Sequence, residues 1–433
     1  MNFDDFLNQI FLRHSTNVKL GLDRMYEILE KMDNPEQKLK GIHIAGTNGK
    51  GSTSAMTEAI LLAHGHTTGM NTSPHLISYT ERFRVNGIDI TPQEIMDLYN
   101  KYQVCFDDTE ASFFEITTAL AFQLFLDKKV KSTIMEVGLG GRLDGTNPFN
   151  SSVTVITSIS IDHPKSLGDN IEKIAYEKAG IIKHSKPVVI GNLNHVALNV
   201  ITDIARLNNA PAYIFGQDFF IDNVVTTNKG TEFDYHFPRH NVKLSNLKTN
   251  LIGKHQAHNA SLAITACILY LNSIYETIDP TLLTQAMVNI NWQGRMQVLS
   301  NNPFVIIDGA HNEEGVSALV ENIKTMFPDK RHHFLVAILR DKKLDNMIKE
   351  ICSIADDIYI SKNHSDRAAD IQEQVDVAIA CNTKYYADLE IIDSLNKCLK
   401  SFKDDKDMLI ITGSLYTISE VLKVKDEIFK ENK

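Results

Sequence analysis

The sequence is most informative at Gly41-Ile42-His43-Ile44-Ala45-Gly46-Thr47-Asn48-Gly49-Lys50-Gly51-Ser52. This stretch reads as a short apolar strand, a glycine-rich turn and the start of a helix. Apolar residues then recur at helical spacing, at Ala55, Met56, Ala59, Ile60 and Ala63. Glycines let backbone amides approach phosphate oxygens, and the helix N-terminus adds favourable partial charge. The stretch therefore predicts that residues 46–52 bind the phosphates of a nucleotide, with Lys50 neutralising the β- and γ-phosphates.

The loop departs from the common G-x-x-x-x-G-K-[ST] pattern at two positions. Ile44 stands where the first glycine is usual, and Gly51 follows Lys50 in place of the hydroxyl residue that usually binds Mg²⁺. Because Mg²⁺ demands octahedral oxygen coordination, other oxygens of the protein must bind the metal. The alternative interpretation is a strand–helix turn that binds no ligand.

Composition excludes several classes of protein. The chain has 433 residues, of which 43% are hydrophobic and 23% charged, which is ordinary for a globular protein and excludes general disorder. A net charge of −10 argues against nucleic-acid binding. No apolar run is long enough to span a membrane, and the N-terminus lacks the features of a signal peptide. The five cysteines are scattered, with no C-x-x-C pair. We therefore expect a cytoplasmic protein with no membrane or nucleic-acid partner.

Apolar runs alternate with helical patterns, which predicts α/β architecture with a largely parallel sheet. The first series has strand candidates at residues 41–45, 132–137, 153–161 and 187–190, followed by a small antiparallel piece within residues 212–247. The second series has strand candidates at residues 304–307, 334–338, 358–360 and 408–412. The polar residues 300–303 are a candidate linker. We therefore predict two domains, residues 1–295 and 296–433.

Further motifs follow the phosphate loop in a fixed order. They are Thr72-Ser73-Pro74-His75, Glu136-Val137-Gly138-Leu139-Gly140-Gly141-Arg142-Leu143-Asp144, Asp162-His163, Glu177-Lys178-Ala179-Gly180, Gly253-Lys254-His255-Gln256 with Asn259, Gly294-Arg295, Asp308-Gly309-Ala310-His311-Asn312 and Thr412-Gly413-Ser414. The set closely resembles the folylpolyglutamate synthase/dihydrofolate synthase family of the Mur ligase superfamily and covers nearly the whole chain. The resemblance implies an N-terminal P-loop NTPase-like Mur ligase domain and a C-terminal Rossmann-like α/β domain.

The resemblance also implies an ATP-dependent amide ligase. ATP phosphorylates a carboxylate of the pterin substrate, and L-glutamate then attacks the acyl phosphate. The expected substrates are ATP, L-glutamate, 7,8-dihydropteroate and tetrahydrofolates, in a monomeric enzyme of the bifunctional bacterial type. A monofunctional folylpolyglutamate synthase, a UDP-muramoyl amino-acid ligase and a nucleotide-gated binding module are the alternatives. The muramoyl ligase is disfavoured because the phosphate loop begins only 45 residues into the chain. A need for a monovalent cation is left open.

Two Mg²⁺ sites are implied by the resemblance. Ser73 and Glu136 match ligands of the ATP-linked metal, and His163 and Lys178 match ligands of a second metal. The family carbamylates the matching lysine, which replaces a positive charge with a negative one. From the residues alone, the favoured interpretations are a turn serine for Ser73, a strand-end histidine for His163 and a surface lysine for Lys178. Catalytic roles are expected for Lys50, Lys178, His163 and Arg295.

The remaining implied sites bind the nucleotide and the two organic substrates. Asn259 matches a contact of the nucleotide base, and Arg295 matches a contact of the phosphates. Asp308 and His311 match contacts of ATP, and His311 and Ser414 are candidates for glutamate binding. The resemblance implies that the active site lies between two domains, which close to complete it. The alternatives are a linker ion pair for Arg295 and a helix cap for Asp308.

The pterin pocket is expected near the N-terminus and at two later segments. Its predicted residues are Gly21, Leu22, Phe114, Asp144 and Gly145. Phe114 can offer a ring face to a flat heterocycle, and Asp144 can accept hydrogen bonds from the pterin edge. Core packing is the alternative for Phe114. Arg82 and Arg84 either favour anionic substrates or lie on the solvated surface.

Overall fold

A computed structural model describes residues 2–13 and 21–429 of the chain. Within these residues the chain divides into two compact units. The first takes the chain up to Val224, Glu232–Thr249 and Gln256–Ile290. The second takes Val225–Thr231, Asn250–His255 and the chain from Asn291 onward. The main crossing between the units thus lies at Ile290/Asn291, and the functional boundary at residues 295/296 stays a prediction.

The first unit contains an eight-stranded sheet. Its strands are β1 (Gly41–Ala45), β2 (Thr68–Asn71), β3 (Phe83–Val85), β4 (Ile88–Asp89), β5 (Ser132–Glu136), β6 (Val153–Ile156), β7 (Val188–Ile190) and β8 (Ala212–Ile214). They lie in the order β4-β3-β2-β5-β1-β6-β7-β8. Pairing is parallel from β2 to β8 and antiparallel for β3 and β4. The carboxyl ends of the parallel strands therefore share one edge, where ligands bind in open α/β sheets.

Helices cover both faces of this sheet. They are α1 (Phe3–Phe11), α2 (Asp23–Lys31), α3 (Lys50–Ala63), α4 (Pro92–Asp108), α5 (Phe113–Asp127), α6 (Pro164–Leu167), α7 (Ile171–Ala179), α8 (His195–Leu207), α9 (Lys254–Ser273) and α10 (Pro280–Met287). The helix that carries Asn259 begins five residues before it, at Lys254. Among the described residues, no helix is long and apolar enough to cross a membrane.

The helices α3, α5 and α9 are buried along most of their length. In α5 every residue from Glu115 to Phe125 is buried, as expected of a helix enclosed by its neighbours. The helix begins with a capping box, in which Ser112 and Glu115 exchange hydrogen bonds between side chain and backbone. Local capping and tertiary burial therefore favour the same helix start.

A small three-stranded sheet follows, as the alternating pattern predicts. Its strands are β9 (Phe220–Thr227), β10 (Gly230–Phe237) and β11 (Val242–Thr249), in the order β11-β10-β9. Their short connections can join only antiparallel neighbours, because a parallel crossover needs a dozen or more residues.

The second unit is built on a six-stranded sheet. Its strands are β12 (Gln297–Asn301), β13 (Phe304–Ile307), β14 (Arg331–Val336), β15 (Asp357–Ile360), β16 (Lys384–Ala387) and β17 (Asp407–Thr412), in the order β12-β13-β17-β14-β15-β16. Its helices are α11 (Glu313–Met326), α12 (Leu344–Cys352), α13 (Ile371–Ala380), α14 (Ile391–Ser401) and α15 (Leu415–Ile428). Residues 300–303 are not the linker we expected, because β12 pairs antiparallel with β13 and these residues close that hairpin.

Three strands of the second unit begin in a buried ion network. His333 Nδ1 lies 2.5 Å from Asp357 Oδ1, and its Nε2 lies 2.8 Å from Asp407 Oδ1. Arg331 Nε donates to Asp407 at 2.7 Å. Burial disfavours the imidazolium, but the hydrogen bonds to both carboxylates outweigh burial and raise the pKa of His333. The network lies at the amino ends of the strands and therefore serves stability.

We expect this network to make the stability of the second unit depend on pH. The contribution of His333 is complete below its unfolded-state pKa of about 6.5 and is lost as the pH rises through the raised folded-state pKa. His333→Gln should remove this decrease of stability with rising pH. It should also lower the free energy of unfolding by about 3 kcal/mol at low pH, because two carboxylates lose their shared cation. Urea unfolding at pH values below and above 7, monitored by hydrogen exchange at β14, measures the effect. His364→Gln is the control, since the His364 side chain is 71% exposed. An unchanged pH dependence in His333→Gln would contradict the assignment.

Candidate active site

Four loops with polar side chains leave the same edge of the first sheet. They follow β1, β2, β5 and β6, and β5 and β6 are the immediate neighbours of β1. The loop after β1 is the predicted phosphate loop. The others carry Ser73, the residues from Glu136 to Asn147, and the residues from Thr157 to His163. Topology alone thus brings together segments that are far apart in the chain.

The phosphate loop has the backbone conformation that its glycines predict. Gly49 caps α3 with φ 86°, in the left-handed region. A Cβ at this position would lie 2.4 Å from Asn259 Oδ1, so glycine also allows a close approach of α9. Lys50 Nζ donates to Gly46 O and to Thr47 O, each at 3.1 Å. The predicted contact Asn259 therefore lies directly beside the loop that the nucleotide phosphates need.

Hydroxyl side chains after β6 hold the phosphate loop, and the sequence pattern did not reveal them. Thr157 Oγ1 donates to Asn48 O at 2.6 Å, and Ser158 Oγ accepts from Asn48 N at 2.9 Å. Thr47 Oγ1 accepts from the backbone of Ser160 at 3.1 Å. We predicted a strand from residue 153 to 161, but it ends at Ile156 because the following residues bind the loop instead. The only hint of this role in the sequence was the pair of hydroxyl residues, Thr157 and Ser158, directly after an apolar strand.

Ser73 and Glu136 meet at this edge. Glu136 is the last residue of β5, is 4% exposed, and accepts a hydrogen bond from Ser73 N at 3.2 Å. A hydroxyl and a carboxylate are hard oxygen donors of the kind that Mg²⁺ prefers. This pair therefore fits a divalent metal beside the phosphate loop, as the resemblance implied. Both ligand roles stay predictions.

Glu136→Gln should test that fit. The amide keeps the acceptor for Ser73 N and the size of the side chain, but it removes the negative charge. We expect a folded protein whose half-saturating Mg²⁺ concentration in ATP turnover rises by about tenfold or more, because one charged ligand is lost. A Mg²⁺ titration of ADP formation measures the change. An unchanged titration would exclude Glu136 as a ligand.

Lys178 is not the surface lysine that its local sequence favoured. It lies on α7, is 4% exposed, and its Nζ donates to Gly46 O at 2.9 Å. Burial, and then the charge of Lys50, lower the pKa of Lys178 to about 7, while Asp162 and Asp144 oppose the shift. Much of this side chain is therefore a neutral amine near pH 7, and only the neutral amine reacts with CO₂.

His163 is placed at the start of a helix. It precedes α6 and has φ 51°, a left-handed conformation that is uncommon for a residue with a side chain. Its backbone N donates to Asp162 Oδ1 at 2.9 Å, and its ring is 38% exposed. A histidine and an unmodified lysine do not together fit a hard cation. A second metal site at His163 and Lys178 fits only if the lysine carries a carbamate.

The predicted pterin residues come together beside this edge. A Cβ on Gly138 would lie 2.4 Å from Phe114 Cζ, so the Phe114 ring packs on the loop after β5. A Cβ on Gly145 would lie 3.4 Å from Cδ1 of the same ring. Asp144 is buried, which raises its pKa, and it accepts from the backbone of Leu139 at 2.8 Å. Asp144 thus shapes its own loop, and its contact with the pterin stays a prediction.

The N-terminal segment reaches the same region through an ion pair. Arg24 Nη2 lies 3.0 Å from Glu115 Oε1, which ties α2 to the first turn of α5. Gly21 and Leu22 directly precede α2, and their place in a pocket with Phe114 stays a prediction. Arg82 and Arg84 are not solvated, because they are 7% and 8% exposed. Arg84 pairs with Glu58 at 3.3 Å, and Arg82 lies over the Phe113 ring.

In the second unit, Arg295 and Asp308 are neighbours. Burial raises the pKa of Asp308, and the Arg295 charge opposes this. Asp308 accepts from Met296 N and Ala310 N, each at 2.8 Å. It does not cap the next helix, because Asn312 caps α11. His311 contacts Gly309 O at 2.8 Å. Asp308 and His311 follow β13, at the carboxyl edge of the sheet, whereas Arg295 precedes β12.

Ser414 follows β17 at the same edge but has a structural role. It is 1% exposed and caps α15, where it accepts from Thr417 N at 3.1 Å. Its hydroxyl also donates to Ala337 O at 3.2 Å. The capping role accounts for these contacts. Binding of nucleotide or glutamate by Arg295, Asp308, His311 and Ser414 stays a prediction.

His258 and His255 have different surroundings. His258 Nε2 accepts from Asn192 N at 2.9 Å, which is a structural contact. Burial and the Arg295 charge lower the pKa of His255 to about 4. Across residues 2–13 and 21–429, no group of three or more histidine, cysteine, aspartate or glutamate side chains is placed to hold a metal.

Comparisons with known proteins match both halves of the chain. The Mur ligase middle domain matches residues 44–267, and the Mur ligase, glutamate ligase domain matches residues 294–415. Dihydrofolate synthase/folylpolyglutamate synthase of Bacillus subtilis (strain 168) is 37% identical over 428 residues, which cover 97% of this chain and 98% of that protein.

Solved structures are similar over the same extent. Mycobacterium tuberculosis folylpolyglutamate synthase complexed with ADP superposes with a TM-score of 0.91 at 27% identity, covering 98% of each chain. A bifunctional folylpolyglutamate synthase/dihydrofolate synthase with Mn, AMPPNP and L-glutamate bound superposes with a TM-score of 0.86 at 28% identity, again covering 98% of each chain.

Proposed function

The chain belongs to the dihydrofolate synthase/folylpolyglutamate synthase family of the Mur ligases, and on that premise we propose how its own residues carry out the family's reaction. It is an ATP-dependent ligase that adds L-glutamate to folate precursors and folates. The bifunctional form uses 7,8-dihydropteroate and the glutamate tail of tetrahydrofolates as acceptors. A monofunctional folylpolyglutamate synthase is the second candidate.

The first chemical step activates a carboxylate of the acceptor. A carboxylate oxygen attacks the γ-phosphorus of ATP, and the bond from this phosphorus to the β-bridging oxygen breaks. ADP departs, and an acyl phosphate is formed on the acceptor. This transfer needs positioning and positive charge more than covalent help from the protein. Backbone amides of residues 46–52 and the Lys50 ammonium supply both. Thr157 and Ser158 keep the loop in place for this step.

A divalent metal is used with the nucleotide, and we propose Mg²⁺ with Ser73 and Glu136 as its protein ligands. When bound, the cation neutralises phosphate charge that Lys50 alone leaves uncompensated. Glu136 holds Ser73 through its backbone amide, so the two oxygen donors are positioned before the nucleotide arrives.

Lys178 is the proposed site of a carbamate. Its neutral amine adds to CO₂, forms a nitrogen–carbon bond and releases one proton, which leaves a carbamate anion. The pKa of about 7 makes the neutral amine available. The product is a hard oxygen donor that, with His163, suits a second cation. The single observation that carries the ligase proposal is the hydrogen bond from the buried Lys178 Nζ to Gly46 O, because a binding module needs no buried lysine at this place.

The second step forms the amide. The amine of L-glutamate attacks the acyl carbon, phosphate leaves, and the nitrogen loses one proton. We propose that Arg295 binds phosphate oxygens, Asn259, Asp308 and His311 contact ATP, and His311 and Ser414 contact L-glutamate. The guanidinium of Arg295 suits phosphate binding because it can form bidentate hydrogen bonds to phosphate oxygens and stays charged.

The remaining parts of the proposal concern the acceptor and the setting. Gly21, Leu22, Phe114, Asp144 and Gly145 form the pterin pocket. The protein acts as a monomer in the cytoplasm on small-molecule substrates, without nucleic acid. Whether a monovalent cation is required is a question for the same assay.

The test is ADP formation with ATP, Mg²⁺ and L-glutamate, comparing 7,8-dihydropteroate with tetrahydrofolate. Activity with both acceptors establishes the bifunctional enzyme. Activity with tetrahydrofolate alone establishes the monofunctional one and removes Phe114 and Asp144 as dihydropteroate contacts. A folded protein that binds ATP and uses neither acceptor would overturn the proposal.

A further inference from the structure

The loop after β5 and the end of α7 are joined by their backbones. Arg142 N, in the loop, donates to Glu177 O at 2.7 Å. Asn147, at the end of the same loop, donates from Nδ2 to Arg142 O at 2.9 Å and to Gly180 O at 3.1 Å. The Asn147 amide therefore binds both partners of the junction at once.

The junction is also sterically tight. A Cβ on Gly180 would lie 2.3 Å from the Arg142 Cβ, closer than real Cβ atoms approach. The Arg142 guanidinium reaches across to Glu177 Oε1 at 2.8 Å. The loop and the helix end thus leave no space in which one could shift independently of the other.

Lys183 completes the junction. Its Nζ donates to Asn147 O at 2.6 Å and to Asn147 Oδ1 at 2.8 Å. Both acceptors are uncharged, and burial lowers the pKa of Lys183 to about 8. A half-buried ammonium with uncharged partners contributes little net stability. What it does is orient Asn147, whose Oδ1 it holds while Nδ2 binds Arg142 O and Gly180 O.

We propose that Asn147 and Lys183 are positioning residues that fix the loop of Asp144 and Gly145 to the helix end that carries Lys178. The inference rests on the proposed function, in which this loop lines the pterin pocket and Lys178 serves the phosphate side. The two sides then keep a constant spacing, which phosphoryl transfer from ATP to the acceptor carboxylate requires. A misplacement of about 1 Å can cost about 100-fold in rate.

A positioning role predicts that some kinetic constants change while others keep their wild-type values. The contacts of Asn147 and Lys183 given above do not include the phosphate loop, so ATP binding should be preserved. The acceptor and the carbamate should both be affected, because each lies on one side of the junction. A purely structural role would instead lower the amount of folded enzyme and leave the kinetic constants of the folded fraction unchanged.

The test compares Lys183→Met with wild type and with Lys173→Met, a control on α7 whose side chain is 61% exposed. For Lys183→Met we expect kcat to fall about 10- to 100-fold, the KM for 7,8-dihydropteroate to rise at least about threefold, and the KM for ATP to change less than about twofold. The bicarbonate concentration for half-maximal activity should rise as well. Lys183→Arg should recover part of kcat, because it restores donors to Asn147, and Lys173→Met should resemble wild type.

Wild-type kcat, KM and bicarbonate dependence in Lys183→Met would overturn the inference while leaving the ligase function intact. An inactive wild-type enzyme would instead overturn the proposed function. If Lys183→Met does not fold, Asn147→Ser takes its place with the same expected and contrary results, since serine keeps a polar side chain too short to reach both carbonyls.

Discussion

Lys50→Ala should reduce ADP formation by about 10³-fold, the largest effect that we expect from any single substitution. In the structure Lys50 Nζ is held by Gly46 O and Thr47 O, at the amino end of α3, where we propose that the phosphates bind. Removing one positioned donor to developing charge costs about 10²–10³ in rate, and here a full positive charge is lost with it. A coupled assay with saturating acceptor and L-glutamate measures the effect.

Lys40→Ala is the matched control for this variant. Lys40 directly precedes β1 and is exposed, whereas Lys50 follows the loop at the opposite end of the same strand. Its removal should leave turnover unchanged. Ligation at the wild-type rate by Lys50→Ala would rule out the nucleotide site as assigned.

Lys178→Ala is expected to lower kcat by at least about 10²-fold, because the proposed carbamate ligand is lost. Lys178→Arg should be equally inactive, since it keeps the positive charge but cannot form the carbamate. Short carboxylates such as formate should restore part of the activity of Lys178→Ala, because they offer the missing oxygen donors. Mass spectrometry of the native wild-type enzyme should show the added mass of CO₂.

Removal of CO₂ gives an independent measurement on the wild-type enzyme. Burial lowers the pKa of Lys178 to about 7, so the neutral amine that binds CO₂ is depleted below this pH and plentiful above it. Activity in degassed buffer should therefore fall most at acidic pH and return with bicarbonate. Full activity without CO₂, together with an unmodified lysine, would refute the carbamate.

Local signals in the sequence account for much of the fold. Apolar runs placed β1, β5 and β13 correctly because buried parallel strands are apolar on both faces. The glycine-rich turn before α3 was recognisable because only glycine adopts the backbone of Gly49 readily. The hairpin of β12 and β13 was mistaken for a linker, since its polar residues lie at a sheet edge and carry no apolar pattern.

The candidate site was predictable only in part. The motifs of Glu136 and Lys178 point to function through resemblance, whereas their local patterns allow a strand-end acid and a surface lysine. Thr157, Ser158, Asn147 and Lys183 were missed, because each acts through contacts with a segment that is distant along the chain. No spacing along the chain encodes such a contact.

The sequence by itself determined the phosphate loop, the α/β architecture and the family, because these depend on local conformation and on residue order. The tertiary structure alone decided which side chains meet. Lys178 reaches Gly46 O across 132 residues because the fold packs α7 beside the loop that follows β1. Burial at that edge, rather than the identity of the residue, lowers the pKa of Lys178. Its chemistry is therefore a property of the packed fold.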